Sequence, residues 1–122
     1  MFKPLNVFNE PLKSCSVSPM TGFYRDGSCN SGIDNPGRHT VCILATKEFL
    51  EYSRRVGNDL STPMPQYGFE GVKPGERWCL AVGNFLNALE HGKAPKVFLE
   101  STHIAILEDI DLELLKEYAV EV

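Results

Sequence analysis

The chain lacks most of the features that would name an activity. No apolar run approaches the roughly twenty residues that a membrane-spanning helix needs. It opens Met1-Phe2-Lys3-Pro4 and continues in mixed polar sequence, without the apolar core of about seven or more residues of a secretion signal. Cytoplasmic localisation is therefore expected. Positive charge is scarce: 12 Lys and Arg stand against 16 Asp and Glu, the net charge is −4, and the only adjacent basic pair is Arg54-Arg55. Binding to nucleic acid or to an anionic membrane rests on a basic patch that neutralises phosphates, so neither partner is expected. Neither Gly-x-x-x-x-Gly-Lys-Ser/Thr nor Gly-x-Gly-x-x-Gly occurs, which removes the familiar phosphate-cradling loops. The four cysteines form no Cys-x-x-Cys pair, which argues against a zinc ribbon or a thioredoxin-like motif. There are no internal repeats and no low-complexity segments. No cofactor is implied.

What remains is one domain of 122 residues, 1–122, with a 43% apolar fraction that suffices for a core. Residues 1–37 are irregular, punctured by Pro4, Pro11, Pro19 and Pro36 and by Gly22, Gly27, Gly32 and Gly37. Within them Val7-Phe8 forms a short strand or plugs the core. Phe23 and Tyr24 read as apolar anchors of an ordered loop layer. Thr40–Ala45 is an almost continuous apolar run, the pattern of a strand buried on both faces. Thr46 then reads as the N-cap of a helix over about Lys47–Val56, closed by Gly57. Residues 58–76 form a second long loop, since Pro63, Pro65 and Pro74 forbid a helix interior; Lys73-Pro74-Gly75-Glu76 reads as a type II turn.

Trp78–Val82 is expected to be a strand, a helix to run from Gly83-Asn84 to about His91, and Lys96–Glu100 to be a short strand. Residues 101–110 fit a strand or a helical turn equally. Asp111 caps a last helix through about Ala119. The fold class is α+β: a small three- to four-stranded sheet, about three helices and two long ordered loops. A parallel sheet would gather Ala45-Thr46, Gly83-Asn84 and Ser101-Thr102-His103 at its carboxyl edge, where ligands bind in such sheets.

The chemistry-bearing residues concentrate in Pro19–Asn30, with an aromatic pair, an Arg-Asp pair and a thiol between its glycines. In a cytosolic chain the four cysteines are expected to be free thiols. Cys42 and Cys79, set in apolar sequence, read as buried; Cys15 and Cys29, in turn-prone sequence, as more accessible. Cys29 is the candidate nucleophile or redox thiol, with Arg25 near in sequence and His39 or His103 as a base. The competing and favoured reading is a turn cysteine half-covered by Phe23 and Tyr24. Cys15, Cys29, His39 and His103 would suit zinc if they converged, but they come singly from distant segments, and no metal ligands are assigned. Tyr24, Arg25, Asp26, Arg38 and Asp59 are candidate ligand-binding residues. Arg25, Arg38, Arg77 and Lys73 suit a small anion, since guanidinium forks match carboxylate and phosphate. Equally, Arg25 could pair with Asp26 or Asp59, and Arg77 with Glu76 or Glu70, as loop ties. Asn58-Asp59 could offer a general base, but both residues also read simply as acceptors that shape their loop. His91 reads as a structural helix-end residue, and Trp78 as core.

Five stretches together resemble a bacterial family known as domain of unknown function 2237. They are Pro19–Gly27, Gly37–Cys42, Gly57–Pro63, Arg77–Leu80 and Thr102-His103, within a likeness that runs from about Asn6 to Ala119. The resemblance implies a stand-alone bacterial protein and brings no activity, cofactor or catalytic residue. Ser28 stands where the resemblance leads one to look for a second cysteine beside Cys29. The combined reading is a small-molecule binding or interaction module, with a small anionic molecule or a protein as partner. The alternatives are a thiol-dependent enzyme using Cys29 with a histidine base, and a structural zinc domain.

Overall fold

A computed structural model describes residues 4–17, 20–22, 24–30 and 38–120. Pro19 and Phe23, and the breaks at Gly32, Pro36 and Gly37, lie outside the described residues. The chain is an α+β domain. Its three-stranded sheet has the order β2-β1-β3, with β1 Val41–Leu44, β2 Arg77–Leu80 and β3 Lys96–Val97. Both pairings are antiparallel, in the register Cys42↔Cys79 and Ile43↔Trp78 on one side and Ile43↔Val97 on the other. The parallel arrangement and its single carboxyl edge are thus overturned. The strands are only two to four residues long, and the long segments between them carry a helix and a proline-rich loop that return the chain in either direction.

The helices are α1 Lys47–Arg55, α2 Val82–Glu90 and α3 Leu112–Lys116. Thr46 caps α1, its Oγ1 accepting from the Phe49 amide at 3.1 Å. Gly57, at φ +96°, closes α1: its N–H donates to Arg54 O and that of Asn58 to Ser53 O. These two bonds satisfy the carbonyls that a helix C-terminus leaves over. Gly75 at φ +92°, with the Glu76 N–H donating to Lys73 O, makes the expected type II turn. Residues 101–110 resolve as 3₁₀ turns, Leu99–Ser101 and Ile104–Glu108. Val7 is buried and Phe8 exposed, in a turn rather than a strand.

Alternation along the strands divides the interior in two. Val41, Ile43, Trp78, Leu80 and Val97 belong to a core completed by Phe49 and Leu50 of α1, Phe85 and Ala88 of α2, and Ile106 and Leu115. Cys42 and Cys79 point to the opposite face, into a separate buried cluster whose members are Cys15, Cys29, Cys42 and Cys79, with Phe98 packed against it. The continuous apolar run of β1 is thus explained: one face meets helices, the other meets sulfur.

That second face is covered by the N-terminal loop layer. Its cysteines are not free: Cys15 is bonded to Cys42 and Cys29 to Cys79. All four are buried, so the expectation that Cys15 and Cys29 are the accessible pair is also corrected. The polar surroundings of these two cysteines in sequence gave the wrong impression because the loop folds its polar atoms back on itself. Gly27 O alone accepts from the Cys15 and Ser16 amides and from Ser14 Oγ. The two bonds close loops spanning 27 and 50 residues, each worth about 3–4 kcal/mol by the entropy removed from the unfolded chain. Replacing Cys29 and Cys79 together by alanine is expected to lower the midpoint of thermal unfolding by about 10 °C or more, measured by circular dichroism.

Candidate functional site

Residues 21–22 and 24–29 form turns that their own sequence dictates. Gly22 sits at φ +97°, and its carbonyl accepts the Arg25 amide at 3.0 Å. Gly27 N–H returns to Thr21 O, and Asp26 Oδ1 accepts the Ser28 amide at 3.1 Å. A Cβ at Gly22 would run into the backbone carbonyl oxygen of Ser28, which cannot yield. Thr21 is fully buried, and its Oγ1 accepts the Cys79 amide at 2.8 Å, docking the loop on β2. Covalent attachment through Cys29 follows within the same turn of chain.

This docking leaves a cleft of about 310 Å³ between the loop, the start of β1 and the end of β2. Arg25 and His39 line it with Trp78, Asn58 and Asn84, and Leu60 contributes apolar wall. Arg25 holds a left-handed backbone, φ +55°, which costs a non-glycine residue free energy and occurs where the surroundings impose it. Its Nη1 donates to Gly22 O at 2.9 Å, and its guanidinium lies 5.3 Å from the centre of the Trp78 ring. Among the described residues no carboxylate pairs with it. Arg25 also borders a second cleft of about 480 Å³, lined by Val17, Met20 and Tyr67.

His39 is half-buried, and burial pushes its imidazole below the ordinary 6.5, with the Arg25 charge acting in the same direction. It is neutral at neutral pH. His103 is also lowered by burial. Its Nδ1 accepts the Ala105 amide at 3.0 Å, so the proton sits on Nε2, and the ring serves as the cap of the following 3₁₀ turn. It does not line the cleft.

The remaining candidates separate. Arg38, at φ +48°, pairs with Glu108 at 3.2 Å and Asp109 at 2.7 Å, and its carbonyl accepts the Val82 amide. It fastens the entry to β1, away from the cleft. Asp59 accepts from the amides of Ser61 and Thr62 and from both hydroxyls, the last at 2.5 Å. These bonds, that of the Thr62 hydroxyl first, hold its carboxyl below the usual range. It shapes its own loop. Asp26 serves its turn, and Tyr24 is exposed on the loop. The suggested tie between Arg25-Asp26 and residues 58–63 is not made. Arg77 lies over the Phe98 ring at 3.9 Å rather than against Glu76 or Glu70.

Of the residues proposed as catalytic, Cys29 carries no thiolate here, since its sulfur is in a disulfide; it reaches the cleft only through its partner Cys79. The sequence offers Asn58 beside Asp59 and sets Asn84 at the edge of a parallel sheet, but it joins neither to Arg25 and His39, and it gives Trp78 as core. Trp78 is buried, yet one side of it forms cleft wall.

The family model described as an uncharacterized protein conserved in bacteria, domain of unknown function 2237, matches residues 5–119. The chain belongs to this family. No curated protein matches the chain. All the cleft-lining residues and all four cysteines of this family member fall within the matched span. No helix among the described residues is long and apolar enough to cross a membrane.

Two expectations follow from this geometry. Gly22→Ala should cost about 2 kcal/mol or more, seen as a fall of roughly 8 °C in the thermal midpoint, because both the positive φ and the Ser28 carbonyl oppose a side chain. The histidines make stability pH-dependent. Their folded pKa values lie below the unfolded 6.5, so above that value both states are neutral and nothing is lost. As pH falls below 6.5 the unfolded chain takes up protons that the folded chain resists, and stability declines. The urea midpoint should therefore drop between about pH 7.5 and about pH 5.5. His103→Asn, which keeps an acceptor for the Ala105 amide, should remove part of that drop.

Proposed function

We propose that this bacterial protein is a small-molecule binding module whose ligand is a small anion, a carboxylate or a phosphate, held in the cleft of Arg25 and His39. The observation that carries the reading is Arg25. Its backbone is in a costly left-handed conformation, its head is braced by Gly22 O and the Trp78 ring, and no carboxylate among the described residues neutralises it. A braced, exposed guanidinium at the wall of a cleft is the arrangement that gives two parallel hydrogen bonds to a carboxylate or phosphate. Neutral His39 and the amides of Asn58 and Asn84 line the same cleft and suit the neutral polar part of such a ligand. The volume, about 310 Å³, accommodates a metabolite of modest size rather than a nucleotide or a folded partner. The thiol-dependent reading loses its support with the sulfur of Cys29 bonded to that of Cys79.

The reading is tested by calorimetry with inorganic phosphate, acetate and succinate as probes. At least one should bind at millimolar concentration or better, and Arg25→Ala should weaken it about tenfold or more, the worth of a hydrogen bond to a charged group. Arg25→Lys should restore only part, because an ammonium cannot reproduce the planar fork. Equal affinity in wild type and Arg25→Ala, or no binding of any probe, overturns the reading.

A further inference from the structure

We propose that in the reduced protein the four cysteines Cys15, Cys29, Cys42 and Cys79 form one closed tetrahedral zinc site, on the face of the sheet opposite the helices. The Sγ atoms of Cys15, Cys29 and Cys79 lie within 4.8 Å of one another, and that of Cys42 is bonded to Cys15. All four sulfurs therefore already occupy one small volume. A zinc tetrathiolate with bonds of about 2.3 Å has sulfur–sulfur edges of roughly 3.8 Å. Opening the two disulfides lets each bonded pair spread towards that edge, while Cys42, which lies outside the 4.8 Å group, closes on Cys29 and Cys79 by side-chain rotation.

The scaffold for such a site is present on both sides. Cys42 and Cys79 face each other across β1 and β2. Their amides donate away from each other, to Thr102 Oγ1 and Thr21 Oγ1, so they form the non-hydrogen-bonded type of antiparallel pair, in which side chains stand closest. Both threonines are fully buried and fix the backbone of the two strand ligands. The loop ligands are fixed by the Gly27 carbonyl, which accepts the Cys15 amide, and by the turn that precedes Cys29. All four positions are at most 4% exposed, and no fifth group is needed, so the site is closed and structural rather than catalytic. Arg77 lies over the ring of Phe98, which packs on the cysteine cluster, so one guanidinium borders the layer that holds the dianionic centre.

The chemistry balances as follows. Each disulfide takes two electrons from the reductant and gains two protons, from a dithiol that itself closes to a disulfide or, with a phosphine, from water whose oxygen leaves on the phosphine oxide, giving four thiols in all. Zinc then binds four thiolates and displaces their four protons, which makes affinity rise with pH. Bare thiols would leave the loop layer attached to the sheet by little apolar area, since its interface with that face is the cysteine cluster and Phe98. The metal restores the bond between layers that reduction removes.

The test uses the full chain, reduced with a phosphine under nitrogen and freed of metal by a chelator. Cobalt(II) is titrated first and zinc second. One equivalent of cobalt is expected, with the intense visible bands of a tetrahedral centre and thiolate-to-cobalt charge transfer, both bleached by one equivalent of zinc. Zinc should also raise the thermal midpoint of the reduced chain. In Cys15→His, which cannot form its disulfide but keeps a zinc ligand, cobalt should still bind with altered bands; in Cys15→Ala the tetrathiolate spectrum should be lost. Uptake below about a tenth of an equivalent by the reduced wild type, or a cobalt spectrum in Cys15→Ala identical to wild type, overturns the proposal.

Discussion

The contact between the N-terminal loop layer and the second face of the sheet governs the rest of the molecule. The first face of the sheet is closed by ordinary means, with aliphatic and aromatic side chains of two helices buried on Val41, Ile43, Trp78 and Leu80. The second face has Cys42 and Cys79, and the layer above it offers Cys15 and Cys29. Four small side chains bury little apolar area, so burial alone would hold this layer weakly. Covalent bonds between the sulfurs supply what area does not, by removing conformations from the unfolded chain. Polar atoms in the layer go to internal turns and to the segment after β3: the Lys13 amide and Asn6 Nδ2 donate to Glu100 O, the Val7 amide to Thr102 O, and Ser14 O accepts from Ser101 Oγ, while Thr21 Oγ1 accepts the Cys79 amide.

The cleft is a consequence of that contact. Cys29 bonded to Cys79 and Thr21 on the Cys79 amide hold both ends of the segment that carries Arg25. Gly22 supplies the left-handed turn between them, and the guanidinium is thereby set over Trp78. The strain in the Arg25 backbone persists because its neighbours on either side are tied down. His39 arrives from the opposite direction, at the entry to β1, whose position Arg38 secures through Glu108 and Asp109. The cleft and the sulfur cluster share Cys79, which lines one and belongs to the other. Anything that changes the state of the sulfurs therefore acts on the wall of the cleft.

Local rules along the chain had direct physical expression. Thr46, Gly57 and Gly75 do in space what their residue types require, because capping and positive φ are decided within a few residues. The apolar run of β1 was readable as a strand buried on both faces, since alternation is lost only when both sides are covered. Asp59 was readable as a loop acceptor for the same local reason. The helix α3 and strand β3 came out shorter than their patterns, as their ends depend on neighbours. Residues 101–110 resolved as 3₁₀ turns because Leu5, Val7 and Thr40 bind that backbone from distant parts of the chain.

The amino-acid sequence by itself determined the α+β class, the three helices, the two long loops, the family and the candidate status of Arg25 and His39. Tertiary structure alone decided the sheet direction, the state of the cysteines and which candidates share a site. The physical reason is separation along the chain. Cys29 meets Cys79 across 50 residues and Cys15 meets Cys42 across 27, and no local propensity encodes such a pairing. Polar neighbours made Cys15 and Cys29 resemble surface thiols, while burial was conferred by a sheet assembled from elsewhere. In the same way Arg38 was drawn off to Glu108 and Asp109 and His103 to the Ala105 amide, and only Arg25 and His39 were left facing the same space.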